Sequence, residues 1–286
     1  MTLVGYKNSS ADTSVKIVNG DNANIEDHPW MVAIQFLEPR DTNFTFNCGG
    51  AIIDRSWVLT AAHCNSFNTD RPAKNIRILA GSSFMSKMKV KIPVKKYYVH
   101  DQFKYVLGYG WINDLMLLQL RKPLKFGPTI NKIDMDTDIG KNYTGELCTI
   151  TGWGDTDVNL GKIFPDRLQV QTMPVVSDDY CRTVWNNPKK VMNNLICLQK
   201  NNTDSCLNDS GGPLVCKKKL VGTLTYGGDP CNGKKPSVHT RTSTNLNWIK
   251  GKMNTKNKKN KKNKKDKKNK NNQKGKGKKN KKNNRN

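Results

Sequence analysis

The segment Asp204-Ser205-Cys206-Leu207-Asn208-Asp209-Ser210-Gly211-Gly212-Pro213-Leu214 places a serine on a tight, glycine-flanked turn just before an apolar run. A serine hydroxyl is a poor nucleophile at neutral pH unless a base removes its proton and oriented donors receive the oxyanion. Ser210 is therefore a candidate nucleophile, provided that the rest of the chain supplies a base, a group that orients the base, and a pocket.

A candidate base and a candidate orienting carboxylate both precede this segment. His63 follows the β-type apolar run 57–62, and Asp114 opens the strongly apolar run Leu115–Leu120. Taken singly, a histidine beside a cysteine is usually a packed or capping residue, and an aspartate before a strand is usually a turn residue. Together with Ser210 they follow one of the three known chain orders of a Ser-His-Asp triad, so the combination favours catalysis.

These residues resemble those of the trypsin and chymotrypsin family of serine peptidases. The resemblance begins at Ile17-Val18-Asn19-Gly20, includes Gly152-Trp153-Gly154 and ends near Trp248-Ile249-Lys250. It implies an all-β fold of two packed six-stranded antiparallel β-barrels, roughly residues 17–130 and 131–250, with the active site in the crevice between them.

The resemblance also implies a role for each candidate residue. Ser210 would attack the scissile carbonyl and His63 would transfer the proton. Asp114 would hold the imidazole tautomer. The backbone amides of Asn208 and Ser210 would form the oxyanion hole.

The hydrophobic pattern independently predicts many short strands separated by Gly, Pro, Asn and Asp, which is typical of an all-β sandwich or barrel. Short helices are expected at Ser177–Trp185, with Ser177 as N-cap, and at Ser243–Lys252. The expected strands are Trp30–Phe36, Ala51–Ile53, Trp57–Thr60, Ile76–Ala80, Lys89–Val99, Leu115–Leu120, Leu147–Thr151, Arg167–Val176, Leu195–Leu198, Pro213–Cys216, Leu220–Tyr226 and Val238–Thr242.

Eight cysteines predict a disulfide framework and an oxidising compartment, so we expect a secreted, extracellular protein. The sequence alone leaves the pairing open. Residues 1–16 offer only Leu3-Val4 as an apolar core, which is too short for a signal peptide, and we expect the N-terminus to be incomplete or wrongly started. The family resemblance implies the pairs Cys48–Cys64, Cys148–Cys216, Cys181–Cys197 and Cys206–Cys231.

The net charge of +26 is distributed unevenly. Residues 251–286 hold 17 Lys, one Arg and one Asp, with no apolar side chain after Met253, so a disordered tail is expected. The tail suits a polyanion such as a sulfated glycan, an anionic membrane surface or nucleic acid. The alternative is a solvated extension that has no partner.

We expect residues 1–16 to be a propeptide or an incomplete N-terminal segment, followed by the peptidase domain at 17–250. The resemblance implies a zymogen in which a trypsin-like protease cleaves between Lys16 and Ile17. The amine so released would pair with Asp209, because an unpaired buried carboxylate costs several kcal/mol. The alternative is that Asp209 is an ordinary turn residue.

The resemblance places Asp204 at the base of the specificity pocket and Thr225-Tyr226-Gly227 along its wall. A buried carboxylate there would select substrates with Arg or Lys before the scissile bond. The alternative is a loop aspartate that faces water. Ser237 stands where trypsins have glycine, and the added side chain is expected to narrow the pocket.

Asn208 is the second departure from the family pattern, which has glycine at this position. Asparagine tolerates unusual backbone angles better than most residues. If its amide turned away, one of two oxyanion donors would be lost, at a cost of about 10²–10³ in rate. The alternative function is therefore a weakly active or non-catalytic homologue that binds inhibitors, substrates or polyanions.

The sequence indicates no cofactor and no metal. Calcium-binding members of the family use acidic side chains after the strand near Ile76, and residues 77–100 contain no Asp or Glu. We expect a monomer whose partners are protein or peptide substrates, protein protease inhibitors and an activating protease.

Overall fold

The computed structural model describes residues 20–38, 41–66, 71–108, 110–157, 163–186 and 193–254. Lys16, Ile17 and the tail from residue 255 onward, for which the sequence raised expectations, lie outside these ranges. The chain divides into two compact units at Thr244 and Asn245. All the strands described here belong to the first unit, and residues 246–254 of the second are helical.

Strands far outnumber helices among the described elements, so the all-β prediction is confirmed. Two helices, α1 (His63–Ser66) and α2 (Asp178–Trp185), precede the helix at 246–254. The strands are β1 (Asp21–Asn22), β2 (Met31–Leu37), β3 (Phe44–Asp54), β4 (Trp57–Thr60), β5 (Ile76–Ala80), β6 (Val90–Val99), β7 (Lys104–Val106), β8 (Gly110–Ile112), β9 (Met116–Leu120), β10 (Leu147–Gly152), β11 (Gln169–Pro174), β12 (Leu195–Leu198), β13 (Pro213–Cys216), β14 (Lys219–Tyr226) and β15 (Ser237–Arg241).

Six antiparallel strands close a barrel in the order β2-β3-β4-β9-β6-β5. Alternate residues of β2, Val32, Ile34 and Phe36, point into its core. Met31 and Ala33, which face the opposite side of β2, are also buried and belong to a second cluster with Trp153 and Leu168. Because β2 is covered on both faces, its first four residues, Met31–Ile34, are a continuous apolar run rather than an alternating one.

The second sheet has seven strands in the order β1-β11-β10-β13-β14-β15-β12. The short strand β1 joins its edge by pairing with β11. Just beyond β11, Val175 makes an isolated antiparallel bridge to Leu198 of β12, at the other edge of the sheet. The sheet therefore curls back on itself without the continuous ladder that a closed six-stranded barrel would have.

The twelve predicted strands correspond to twelve of the observed ones. The differences are in strand ends and in three short strands, β1, β7 and β8, that were not predicted. β3 begins at Phe44, whereas the predicted strand began at Ala51. The start was not predicted because Asn47, Gly49 and Gly50 interrupt the hydrophobic pattern. The three-residue strands β7 and β8 form a hairpin that the sequence did not indicate. Helix α2 has the predicted cap, with the Tyr180 amide donating to Ser177 Oγ at 3.2 Å.

Four disulfides connect the described segments, and they are the pairs that the family resemblance implied. Cys148–Cys216 links β10 to β13, and Cys181–Cys197 links α2 to β12. The other two, Cys48–Cys64 and Cys206–Cys231, flank the segments that contain His63 and Ser210. No helix in the described part of the chain has the length and apolar character needed to cross a membrane.

The barrel core should dominate the free energy of unfolding. Ile34 is fully buried, whereas Ile139 is 66% exposed. We expect Ile34→Ala to destabilise the oxidised protein by about 2–5 kcal/mol in urea unfolding, and the matched change Ile139→Ala to cost less than about 0.5 kcal/mol. Equal effects of the two substitutions would contradict this account of the core.

Candidate active site

His63 and Asp114 form a tightly coupled pair. The imidazole Nδ1 lies 2.6 Å from Asp114 Oδ2, and the His63 backbone amide donates to Asp114 Oδ1 at 2.8 Å. The Asp114 carboxylate is completely buried. Because both carboxylate oxygens are engaged, the ring is fixed with Nδ1 toward the carboxylate. Nε2 is therefore the nitrogen left to act on a substrate or a nucleophile.

The local backbone brings these two side chains together. His63 begins α1 soon after strand β4, and the disulfide of the adjacent Cys64 ties this turn to β3. Asp114 lies at the entrance of β9, the strand that pairs with β4. The residue before it, Asn113, adopts a left-handed conformation with φ of 53°, which asparagine tolerates and which turns the chain into the strand.

The turn that carries Ser210 is held by its glycine and by β3. Gly211 has φ of +78°, and a Cβ there would overlap Thr60 Oγ1 and the backbone of Gly49. The Gly49 amide donates to the Ser210 carbonyl at 2.9 Å. A side chain at position 211 would therefore displace the nucleophile from the barrel wall that presents it.

Two backbone amides in this turn are unused. The amides of Asp209, Gly211 and Gly212 donate to backbone carbonyls. Those of Asn208 and Ser210 donate to no described residue. Two free N–H groups on one tight turn are the donor set needed to stabilise an oxyanion.

Asn208 adopts the conformation that a glycine would have at this position. Its φ is 68°, in the left-handed region. Its side-chain amide donates to the Phe46 carbonyl of β3 at 3.2 Å. The side chain therefore anchors the turn to the barrel.

Asp209 is buried beneath the turn. Its Oδ1 accepts the Gly154 amide at 2.8 Å and its Oδ2 accepts the Cys206 amide at 3.1 Å. A Cβ on Gly154 would overlap the carboxylate. Burial, with a smaller contribution from the nearby Asp155, raises the pKa of Asp209 to about 7, although the amides of Cys206 and Gly154 oppose this shift. No described cation pairs with Asp209.

The cleft beside Ser210 has a volume of about 630 Å³. His63, Ser210 and Asn208 line it together with the predicted wall residues Thr225, Tyr226 and Gly227. The structure therefore brings the predicted base, the predicted nucleophile and the predicted wall to one cavity, with Asp114 buried behind His63.

Trp111, which was not predicted as a site residue, also lines the cleft. Its ring stacks on His63 at a centroid distance of 5.8 Å, and on Phe103 at 5.3 Å. It lies on β8 of the unpredicted hairpin. The signal that could have revealed this hairpin is the pair Gly108 and Gly110 between aromatic residues.

Asp204 lies directly behind the wall of the cleft. It is 1% exposed, and a Cβ on Gly227 would be 3.4 Å from its Oδ1. Burial raises the pKa of Asp204 to about 7, although the backbone amides of Ser205, Gly228 and Gly233 oppose this shift. Its Oδ2 has no hydrogen-bond partner among the described residues.

Ser237 differs from the expectation, because it does not line the cleft. Its hydroxyl donates to the Leu198 carbonyl of β12 at 3.3 Å and lies 3.3 Å from Nε2 of the buried His239. Burial lowers the pKa of His239 to about 3, so this imidazole is neutral. The hydroxyl of Ser237 therefore bonds within the sheet and does not point into the cleft.

Among the described residues, no cluster of three or more His, Cys, Asp or Glu side chains is arranged to hold a metal ion.

Comparison with known proteins places this arrangement in a family. The family model described as Trypsin matches residues 17–249. The snake venom serine protease serpentokallikrein-2 of Protobothrops mucrosquamatus is 30% identical over 251 residues, which cover 84% of this chain and 88% of the relative. Beta-fibrinogenase mucrofibrase-3 of the same species is 29% identical, with the same coverage.

A solved structure is similar over the same region. Neuropsin, a serine protease expressed in the limbic system of mouse brain, matches with a TM-score of 0.70 and 28% identity. The match covers 82% of this chain and 99% of neuropsin. From its fold, its disulfides and these comparisons, the chain belongs to the trypsin family of serine proteases and is a serine endopeptidase.

Proposed function

We propose that this protein is a secreted endopeptidase that cleaves peptide bonds after Arg or Lys. The observation that carries the specificity is Asp204, a buried carboxylate behind Gly227 with one oxygen unpartnered in the described part of the chain. Burying a carboxylate without a cation is costly. A substrate guanidinium or ammonium group in the cleft would offset that cost, and a neutral side chain would not.

In the proposed mechanism His63 Nε2 accepts the proton of Ser210 Oγ as that oxygen attacks the scissile carbonyl. The Asn208 and Ser210 amides receive the negative charge that develops on the carbonyl oxygen. Asp114 stabilises the imidazolium. His63 then gives the proton to the leaving amine, and a water activated in the same way hydrolyses the acyl-enzyme.

Activation is proposed to follow cleavage between Lys16 and Ile17. The amine of Ile17 would enter the site of Asp209, whose carboxylate is buried without a described cation. An ion pair there would favour the charged carboxylate that holds the turn through Gly154 and Cys206. The zymogen would lack this pair.

Four disulfides support the proposed extracellular location. The proposed partners are protein substrates, protein protease inhibitors and an activating trypsin-like protease, with the basic tail as a polyanion anchor. The protein is proposed to act as a monomer. The alternative of a weakly active or binding-only homologue rests on Asn208, and the Asn208 substitutions described below test it.

Cleavage specificity tests the role of Asp204. We expect protein cleaved at Lys16–Ile17 to hydrolyse fluorogenic peptides with Arg or Lys before the scissile bond, and Ser210→Ala to abolish hydrolysis. Asp204→Ser should lower kcat/KM for these substrates by about a hundredfold or more, because an unpaired substrate cation would then be buried. Matched Phe and Leu peptides are the control. If kcat/KM for the Arg peptides were unchanged in Asp204→Ser, Asp204 would not be the residue that determines specificity.

Binding of a small cation should depend on pH, because burial raises the pKa of Asp204 to about 7. Benzamidine, a planar amidinium, requires the ionised carboxylate. We therefore expect its affinity to rise about tenfold per pH unit below pH 7 and to level above it. Binding is measured by calorimetry in the His63→Ala variant, which has no catalytic imidazole to titrate. Adding Asp204→Asn to this variant should abolish the pH dependence of benzamidine affinity. A flat profile with Asp204 intact would contradict the assignment.

Substitutions at Asn208 test the oxyanion turn. Asn208→Gly retains access to the left-handed backbone, so kcat/KM should stay within about threefold of the natural enzyme. Asn208→Val cannot adopt this conformation without strain, and the loss of one donor should lower kcat/KM by about 10²–10³. A large gain in Asn208→Gly would instead mean that the asparagine impairs catalysis and would favour the weakly active homologue.

A further inference from the structure

An exposed row of lysines follows strand β6 on the outside of the barrel. Lys89, Lys91, Lys95 and Lys96 are all exposed, whereas Ile92 and Val94 between them point into the core. We call these four residues the lysine row. Alternate residues of a strand face the same side about 7 Å apart. The register shift between Val94 and Lys96 brings two adjacent lysines to the outer face.

The lysine row has no neutralising partner among the described residues. None of its four ammonium groups forms an ion pair there. The segment 71–100 contains no Asp or Glu at all. Asp101 is the first carboxylate after this segment in the sequence. Asp166 accepts hydrogen bonds from Ser86, which precedes the row.

Neighbouring elements add further positive charge. The 3₁₀ turn with the exposed Lys74 packs against β6. The amide of the exposed Arg121 donates to the Pro93 carbonyl in the middle of the strand. Arg77 is paired with Pro93 on strand β5, but its guanidinium is bonded to Gln35 and stacked on Phe44. The row is therefore the centre of a wider cationic face.

We propose that the lysine row is a binding site for a linear sulfated polysaccharide. Closely spaced unpaired cations repel one another, and a polyanion that spans them releases counterions and relieves that repulsion. Between Lys91 and Lys95 the strand advances about 13 Å, so a chain with repeated anionic groups can contact several ammonium groups at once. This site belongs to the folded barrel and is independent of the basic tail and of the proposed catalytic function.

The surroundings favour a polysaccharide over an acidic protein. Stable protein interfaces use buried aromatic and aliphatic anchors. None of the large exposed hydrophobic side chains of the described residues lies within 71–100. The row contains no arginine that could bind a carboxylate with two parallel hydrogen bonds, and it presents ammonium groups instead. The ammonium group of Lys96 lies over the Tyr98 ring, 4.5 Å from its centroid, and keeps its full charge. A partner recognised mainly by its repeated charge fits these features.

Lysine acetylation of the full chain in the presence of heparin localises the site. We expect heparin to lower the acetylation rate of the row amines by at least about threefold, because bound sulfates shield them. Exposed lysines on the second sheet side, Lys200, Lys218 and Lys234, should change much less and serve as internal controls. Protection confined to lysines beyond residue 254, with the row unprotected, would overturn the proposal.

A charge-matched pair of full-length variants provides the second measurement. Lys91→Gln/Lys95→Gln/Lys96→Gln should elute from immobilised heparin at lower salt than Lys200→Gln/Lys218→Gln/Lys234→Gln, although both lose three charges. Equal elution of the two variants would overturn the proposal by assigning binding to net charge alone. Protection of the row by polyglutamate but not by heparin would also overturn it, in favour of an acidic protein partner. Near-identical circular dichroism spectra establish that both variants fold.

Discussion

The carboxylate of Asp209 is the constraint on which the site depends. It accepts amides from two separate segments, through Gly154 and Cys206, and so holds the turn that presents the amides of Asn208 and Ser210. With its pKa raised to about 7, ionising this group would cost the folded state stability as the pH rises from about 4 to 7, unless a cation compensates. The proposed Ile17 amine would supply that cation and thereby couple proteolytic activation to the geometry of the oxyanion donors.

The two sheets contribute different parts of the site, and a shared apolar cluster packs them together. The barrel supplies His63, just after β4, and Asp114, just before the adjacent strand β9. The second sheet supplies Ser210 and the wall of the cleft. Met31 of the barrel and Trp153 of the second sheet belong to the same buried cluster, which explains why β2 is apolar on both faces.

Much of the fold could be predicted because strand periodicity and turn residues are local signals. The hairpin of β7 and β8 was not predicted, because its three-residue strands carry too little hydrophobic pattern and only the glycines at its turn mark it. The orientation of Ser237 was missed for another reason: the direction of a hydroxyl depends on its neighbours Leu198 and His239, which only the folded register brings close. The sequence showed that Asn208 stands where the family has glycine, but not whether asparagine fits the turn. The left-handed backbone angle and the hydrogen bond to the Phe46 carbonyl show how it does.

The most direct test of the central claim is covalent labelling with a fluorophosphonate, followed by peptide mass spectrometry. We expect modification of Ser210 in protein cleaved between Lys16 and Ile17. We expect little or no modification of uncleaved protein or of the His63→Ala variant, because the nucleophile needs both the ordered turn and the base. Folded, cleaved protein that remains unlabelled at Ser210 would contradict the account.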